Sequence, residues 1–298
     1  MTQSSDETTP LEDDAPAQDT ELPEPVLDAD APVVGDAVEP TEPEATAEPE
    51  REPVIVGASD LASAILSVRQ AIRAGESVVF PTDTVYGIAA DPFSPQAVQG
   101  LLDAKHRGRD MPPPVLIGDP EVVDAYAVDV PAAARILMSR HWPGPLTLIL
   151  SAQSSLRMDL GETKGSIGVR VPDHEVARAI LRATGPLAVS SANVSGEPAA
   201  TDVHDAMRQL RSSVAVYVDG GPTPGPTPST IVDFASGLAG KVVRIGAISL
   251  EELRKDLPGL EGPVPEPEPE AAAEGAESVP TVADLPEGSE GTADAATS

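Results

Sequence analysis

Cysteine is absent from the 298 residues, so neither a disulfide nor a thiolate metal site is available. The four histidines, His106, His141, His174 and His204, are scattered, and no HExxH or paired spacing brings two of them to one zinc ion. Aromatic side chains are scarce: three Phe, three Tyr and one Trp are too few for the stacking platform of an RNA-reading sheet. No apolar run approaches the roughly 20 residues of a membrane helix. The acidic N-terminal stretch is unlike a signal peptide, which opens on positive charge followed by an apolar block. There is no GxSxG elbow and no GxGxxG, and Gly161-Glu162-Thr163-Lys164-Gly165-Ser166 lacks the spacing of a P-loop. The chain is therefore expected to be soluble and cytoplasmic, with no membrane partner.

Positive charge is scarce at both ends. Met1 to Gly57 holds seventeen acidic residues and one basic, and Leu257 to Ser298 holds ten acidic and none basic. The segment between them has twenty-two acidic against eighteen basic, so the formal net charge of -30 belongs mainly to the ends. Both ends are rich in Pro, Glu, Ala and Asp. They carry too little apolar surface to offset the entropy of ordering, which predicts disordered, solvating tails at 1–57 and 257–298. The middle, about 200 residues, is long enough to bury a core.

Periodicity within that middle alternates between helix and strand. Asp60 is a candidate N-cap for a helix with Leu61, Ile65, Val68 and Ile72 on one face and Gly75 as its stop. Ser77 to Phe80 reads as a buried strand, and Ser94-Pro95 opens a helix to about Lys105. Val115 to Ile117, Leu146 to Leu150, Ile167 to Val171, Leu187 to Val189, Val214 to Val218, Thr230 to Val232 and Val242 to Ile245 read as strands. Helices are predicted over Pro131 to His141 (Ile136 and Leu137 inward), after Asp173 (Val176, Ile180, Leu181), and after Thr201 or Asp202 (Val203, Met207, Leu210). Ser249 with Glu252 forms a capping box for a last short helix. Several strands follow one another directly, which predicts a mixed, twisted sheet with packed helices rather than a Rossmann order.

Six stretches place hydroxyl or cationic residues at the ends of apolar runs, where an α/β fold presents ligand-binding groups. In Pro81-Thr82-Asp83-Thr84-Val85-Tyr86-Gly87, Pro81 breaks the strand and uncharged hydroxyls follow. Lys105-His106-Arg107 ends a helix, where cations either satisfy the dipole or clamp phosphates. Pro143-Gly144-Pro145-Leu146-Thr147 is a rigid turn into a strand. In Gly168-Val169-Arg170-Val171-Pro172, the arginine needs an anionic partner, either a protein carboxylate or that of a substrate. Ser190-Ser191-Ala192-Asn193-Val194-Ser195-Gly196 is a polar loop with donors for an anion. Ser229-Thr230-Ile231-Val232-Asp233 follows the Gly/Pro run Gly220 to Pro228, which is either a passive linker or a loop that moves over a ligand.

In this order, from Leu61 to about Ile245, the six stretches resemble the YrdC-like family. The resemblance implies an α/β fold, a twisted open mixed sheet with flanking helices around a concave basic cavity, in a catalytic domain at 58–256. It implies a nucleotidyltransferase that condenses L-threonine, bicarbonate and ATP, with Mg2+, into threonylcarbamoyl-AMP and pyrophosphate. A downstream tRNA threonylcarbamoyl-transfer complex would then modify adenosine 37 of tRNA, and tRNA itself is a candidate ligand. By the same resemblance Lys105, Arg107, Ser191 and Asn193 form a catalytic tetrad, and Arg170, Thr82, Thr84 and Tyr86 hold threonine. ATP would meet Lys105, Arg107, Asn193, Thr147, Ser166, Thr201, Ser229 and Arg244, with no protein metal ligand. One departure stands out. The family often carries Lys-Pro-Leu after the basic pair, whereas here Met111-Pro112-Pro113-Pro114 lacks the lysine, and Arg109 is the candidate replacement. Two other readings stay open: a YrdC-like RNA-binding module without synthase activity, and an enzyme using another carbamoyl donor or acceptor.

Overall fold

A computed structural model describes residues 52–263. In chain order the elements are β1 (Val54–Gly57), α1 (Leu61–Arg73), β2 (Val78–Phe80), β3 (Gly87–Ala90), α2 (Pro95–Ala104), β4 (Val115–Leu116), α3 (Ala132–His141), β5 (Leu146–Ser151), β6 (Ser166–Arg170), α4 (Glu175–Thr184), β7 (Leu187–Ser191), α5 (Val203–Leu210), β8 (Val216–Asp219), β9 (Thr230–Asp233), β10 (Lys241–Arg244) and α6 (Leu250–Asp256). The caps explain several boundaries. The side chains of Asp60, Ser94, Asp202 and Ser249 each accept from a backbone N–H three residues on, satisfying donors that the first helical turn leaves unpaired.

All ten strands join one open, mixed sheet in the order β1-β8-β2-β3-β7-β4-β6-β5-β9-β10. Four pairs are parallel (β1/β8, β2/β8, β4/β6, β5/β9) and five antiparallel (β2/β3, β3/β7, β4/β7, β5/β6, β9/β10). Each face of the sheet has its own core. On one, Ile88, Val115, Leu148, Val169, Ala188 and Val232 meet Leu101, Leu102, Leu137, Val203 and Leu210 of α2, α3 and α5. On the other, α1 and α4 pack together over Val78, Phe80, Ala89, Val189 and Val216. These two helices cover only part of that face.

The structure departs from the sequence reading at several points. Residues 54–57, placed in the N-terminal tail, form a strand because Val54 to Gly57 pair in register with Val216 to Asp219. At the other end the fold runs past residue 256: Leu260 is buried, and Glu261 bridges Lys241 beside β10. The rest of both predicted tails, 1–51 and 264–298, lies outside the described residues. In α3 it is Ala134, Leu137 and Met138 that face the core, whereas Ile136 is exposed. The N-cap of α4 is His174, one residue after Asp173, and its Nδ1 accepts from the Ala177 N–H. β3 was not foreseen, since its residues are Gly, Ile and two Ala, and a short apolar run has no period of its own.

Candidate active site

Strand register builds the floor of a cavity. Gly87 lies opposite Ser191, Leu116 opposite Arg170, Ile149 opposite Gly168, and Thr147 opposite Ile231. Paired residues point to the same side of a sheet, and alternate residues along a strand share a face. The cavity therefore lies on the part of the α1/α4 face those helices leave open. It encloses about 170 Å³ and is lined by Thr82, Thr84, Arg107, Thr147, Arg170 and Arg244, among others. The sequence reading looked to strand ends. The antiparallel β5/β6 pairing sets the end of β6 beside the start of β5, so Arg170 and Thr147 meet on one surface.

Arg170 shows how the site is held. Its side chain is 7% exposed, and it donates through Nε to the Gly144 carbonyl (3.0 Å), through NH1 to Thr84 Oγ1 (3.0 Å) and through NH2 to Asp83 Oδ1 (2.5 Å). Burial pulls its pKa below the usual arginine value while Asp83 pushes it back up. Asp83 was read only as a turn former, yet it is the protein carboxylate that this strand-end arginine required. A guanidinium has five N–H donors, so two remain for a ligand. Thr84 Oγ1 also meets Thr82 Oγ1 (3.0 Å), and Thr82 donates to the Val85 carbonyl (2.7 Å).

Two further arginines face the same space. Arg107 donates to Ser190 Oγ (3.1 Å), while its buried Nε has no partner. Arg244 donates through NH2 to the Ser229 carbonyl (2.8 Å), and Ser229 Oγ lies 2.9 Å from Thr147 Oγ1. Burial, then Arg107 and Arg170, lowers the pKa of Arg244, and burial lowers that of Arg107. The three cations thus load one hollow with positive charge, and among the described residues one carboxylate, Asp83, bonds to a member of the trio, Arg170.

Lys105 does not line the cavity. It caps the C-terminus of α2 and is 1% exposed, with Nζ donating to the carbonyls of Ser191 (2.5 Å) and Asn193 (2.6 Å). Asn193 also stays inside its loop, with Nδ2 donating to Val194 O and Glu197 O. The loop directs its N–H groups inward too: Ala192 to Tyr86 O, Val194 to Gln209 Oε1, and Ser195 to Lys105 O. Its face toward the cavity is the pair Ser190 and Ser191.

Tyr86 lines the cavity with its ring, but its hydroxyl donates to Gly221 O (2.7 Å) and accepts from Gly220 N–H (3.2 Å). Burial pushes its pKa up to about 12. Ser166 lies in an adjoining apolar side chamber of about 100 Å³, which shares Thr147, Ile231, Pro112 and Pro114 with the main cavity. Thr201 lines neither space, and its carbonyl holds the Thr223 N–H and hydroxyl. Arg109 points away from the cavity, to Asp159 and Gln99, so it does not stand in for the missing lysine. Of the thirteen residues singled out from sequence, nine line the main cavity: Thr82, Thr84, Tyr86, Arg107, Thr147, Arg170, Ser191, Ser229 and Arg244. Ser190, Asp83 and Ile231 were missed. All three sat inside quoted motifs, but Ile231 is an apolar strand residue with no chemistry of its own and reaches the site through its pairing with Thr147.

Comparison with known proteins bears on this cavity. The sequence model of the Sua5/YciO/YrdC family, described as telomere recombination, matches residues 70–246. A Mycobacterium tuberculosis protein provisionally named threonylcarbamoyl-AMP synthase is 47% identical over 193 residues, 65% of this chain and 88% of the relative. The threonylcarbamoyl-AMP synthase of Bacillus subtilis is 36% identical over 184 residues, 61% of this chain and 53% of its own. Among solved structures, Sua5 of P. abyssi complexed with L-threonine superposes with a TM-score of 0.66 at 30% identity, covering 70% of this chain and 62% of that one. E. coli YciO shares the fold, with a TM-score of 0.62 at 23% identity over 67% of this chain and 99% of its own.

Proposed function

The chain belongs to the Sua5/YciO/YrdC family, and we infer that it is a nucleotidyltransferase that forms threonylcarbamoyl-AMP from L-threonine, bicarbonate and ATP. The observation that carries this reading is the convergence of Arg107, Arg170 and Arg244 on one hydroxyl-lined hollow. Three cations against one bonded carboxylate suit a polyphosphate and an amino-acid carboxylate side by side. The reading as an RNA-binding module without synthase activity is set aside, because relatives from bacteria, archaea and mammals carry the synthase name.

In the proposed reaction the threonine amine takes up bicarbonate as a carbamate, with loss of water. A carbamate oxygen then bonds to the α-phosphorus of ATP, and the bond to pyrophosphate breaks. Arg107 and Arg244 neutralise the phosphates. The two unused N–H groups of Arg170 hold the threonine carboxylate, beside Thr82 and Thr84. The ring of Tyr86 closes that end. Thr147, Ser191 and Ser229 present hydroxyls to the nucleotide, whose base enters the side chamber if Ser166 meets it. No side chain forms a covalent intermediate: positioning and charge neutralisation supply the rate. Magnesium would arrive on the triphosphate as part of the substrate. Among the described residues no group of three His, Cys, Asp or Glu side chains is placed to cage an ion, and a phosphate-bound magnesium needs few protein ligands.

The product would pass to a tRNA threonylcarbamoyl-transfer complex, with tRNA adenosine 37 as final acceptor, in the cytoplasm. Among the described residues no helix is long and apolar enough to cross a membrane. The test is pyrophosphate release from ATP with threonine and bicarbonate omitted in turn. Loss of release in both omissions is expected, and release that ignores either omission would refute the reaction.

A further inference from the structure

We propose that Lys105 is a positioning residue that touches no substrate atom: its ammonium is an internal staple that shapes the Ser190–Gly196 loop so that Ser190 and Ser191 face the nucleotide. The identity of the ligand rests on the synthase reading; the staple rests on geometry. Two backbone carbonyls, Ser191 O and Asn193 O, converge on Nζ at 2.5 and 2.6 Å, with Asn193 Oδ1 at 3.5 Å. Three oxygens around an ammonium match its three N–H donors, leaving none for a phosphate. The backbone of the same residue clasps the loop from the other side, since Lys105 O accepts from the Ser195 N–H (2.9 Å).

The helix end divides the labour between the two cations. Lys105 closes α2, and His106 then takes a left-handed backbone (φ 51). That turn sends the next residue, Arg107, into the cavity while Lys105 stays beneath its floor. Arg107 then bonds Ser190 Oγ, on the strand end whose next carbonyl Lys105 holds. The stapled loop and the phosphate-facing arginine are thus registered through adjacent residues. Burial, and then the charge of Arg107, lowers the Lys105 pKa to about 8. Mild alkali therefore removes one of the three N–H donors.

A phosphate count separates a staple from a clamp. Affinities for AMP, ADP and ATP are measured by calorimetry for the wild type and for Lys105→Met and Arg107→Met. A staple predicts that Lys105→Met weakens all three nucleotides by one common factor, about tenfold for one charge-assisted hydrogen bond, while the Arg107→Met loss grows from AMP to ATP. A Lys105→Met loss that also grows with phosphate number, or no loss, overturns the proposal. Amide hydrogen exchange gives the second reading: Val194 and Ser195 should exchange faster in Lys105→Met, and unchanged exchange overturns the staple. Should that variant not fold, the wild type decides: an ammonium whose donors are taken by loop oxygens should keep one Lys105 Nζ resonance when AMP, ADP or ATP is added to saturation. A resonance that moves further with each added phosphate overturns the proposal. If the wild type binds no adenine nucleotide and releases no pyrophosphate, the synthase reading fails, and the exchange experiment still decides the staple.

Discussion

Removing the Asp83 carboxylate tests how the site is held together. Arg170 and Asp83 have side chains only 7% and 12% exposed, with their charges 2.5 Å apart. Stripping one partner from a buried pair leaves an uncompensated charge and typically costs about 3–5 kcal/mol. Two of the Arg170 hydrogen bonds, to Gly144 O and Thr84 Oγ1, survive in Asp83→Ala, which places the expected loss at the low end, about 3 kcal/mol. For a domain of this size that corresponds to a fall in Tm of roughly 6–12 °C. Urea unfolding followed by circular dichroism at pH 7 measures it, with an unchanged denaturant slope as the sign that only stability moved. Arg170→Met should be rescued relative to additivity when combined with Asp83→Ala, with a coupling of about 2 kcal/mol. The threonine KM should rise in Asp83→Ala, because the guanidinium loses the contact that aims it. A loss below 1 kcal/mol with strictly additive single variants would refute the argument that Asp83 is the structural counter-ion of Arg170.

Other perturbations probe the rest of the site. A Cβ on Gly246 would sit 2.2 Å from Pro228 O and 2.5 Å from Ser229 O, both backbone atoms; Gly246→Ala should displace the carbonyl that Arg244 holds and cut kcat/KM for ATP at least tenfold, and wild-type kinetics would count against that contact. Tyr86→Phe leaves the Gly220 N–H and the Gly221 carbonyl without their hydroxyl partner and should destabilise by about 1–3 kcal/mol, with faster amide exchange at Gly220; exchange there identical to wild type would remove Tyr86 as the anchor of that loop. Lys105 predicts a pH dependence of stability. Folding lowers its pKa from 10.5 to about 8, so between those values the unfolded chain carries the extra proton. Stability from this group therefore rises between pH 8 and 10.5, by on the order of 3 kcal/mol, and its burial penalty is complete below pH 8. The urea midpoint of the wild type should gain on that of Lys105→Met over this range, and a flat difference would contradict the shift.

Much of the architecture was readable residue by residue. The helix starts at Asp60, Ser94, Asp202 and Ser249 follow from local cap chemistry, and the strands at 78–80, 146–151 and 166–170 follow from apolar runs bounded by turn residues. Elements without a local signal went unread. β1 lay in a segment whose composition matched the acidic tail, and only pairing with β8 orders it. Ile136 was expected inside, because helical periodicity gives the spacing of a face but not which of two adjacent faces meets the neighbour. Within the site, the arginines, threonines and serines were visible as residue types. Their division into groups that line the cavity and groups that build it was not. Lys105 and Arg107 are two positions apart and alike in charge, yet the left-handed turn at His106 sends one beneath the floor and the other into the hollow.

By itself the sequence determined what is local: the helices and strands that carry their own caps and apolar runs, where the chain changes composition, and which side chains carry the chemistry. Tertiary structure alone decided which of those groups meet. Strand order and register bring Thr147 to Ile231, Arg170 to Leu116 and Asp83 to Arg170 across gaps of tens of residues. Such pairings depend on burial and hydrogen bonding summed over the whole sheet, and no short stretch of chain holds that information.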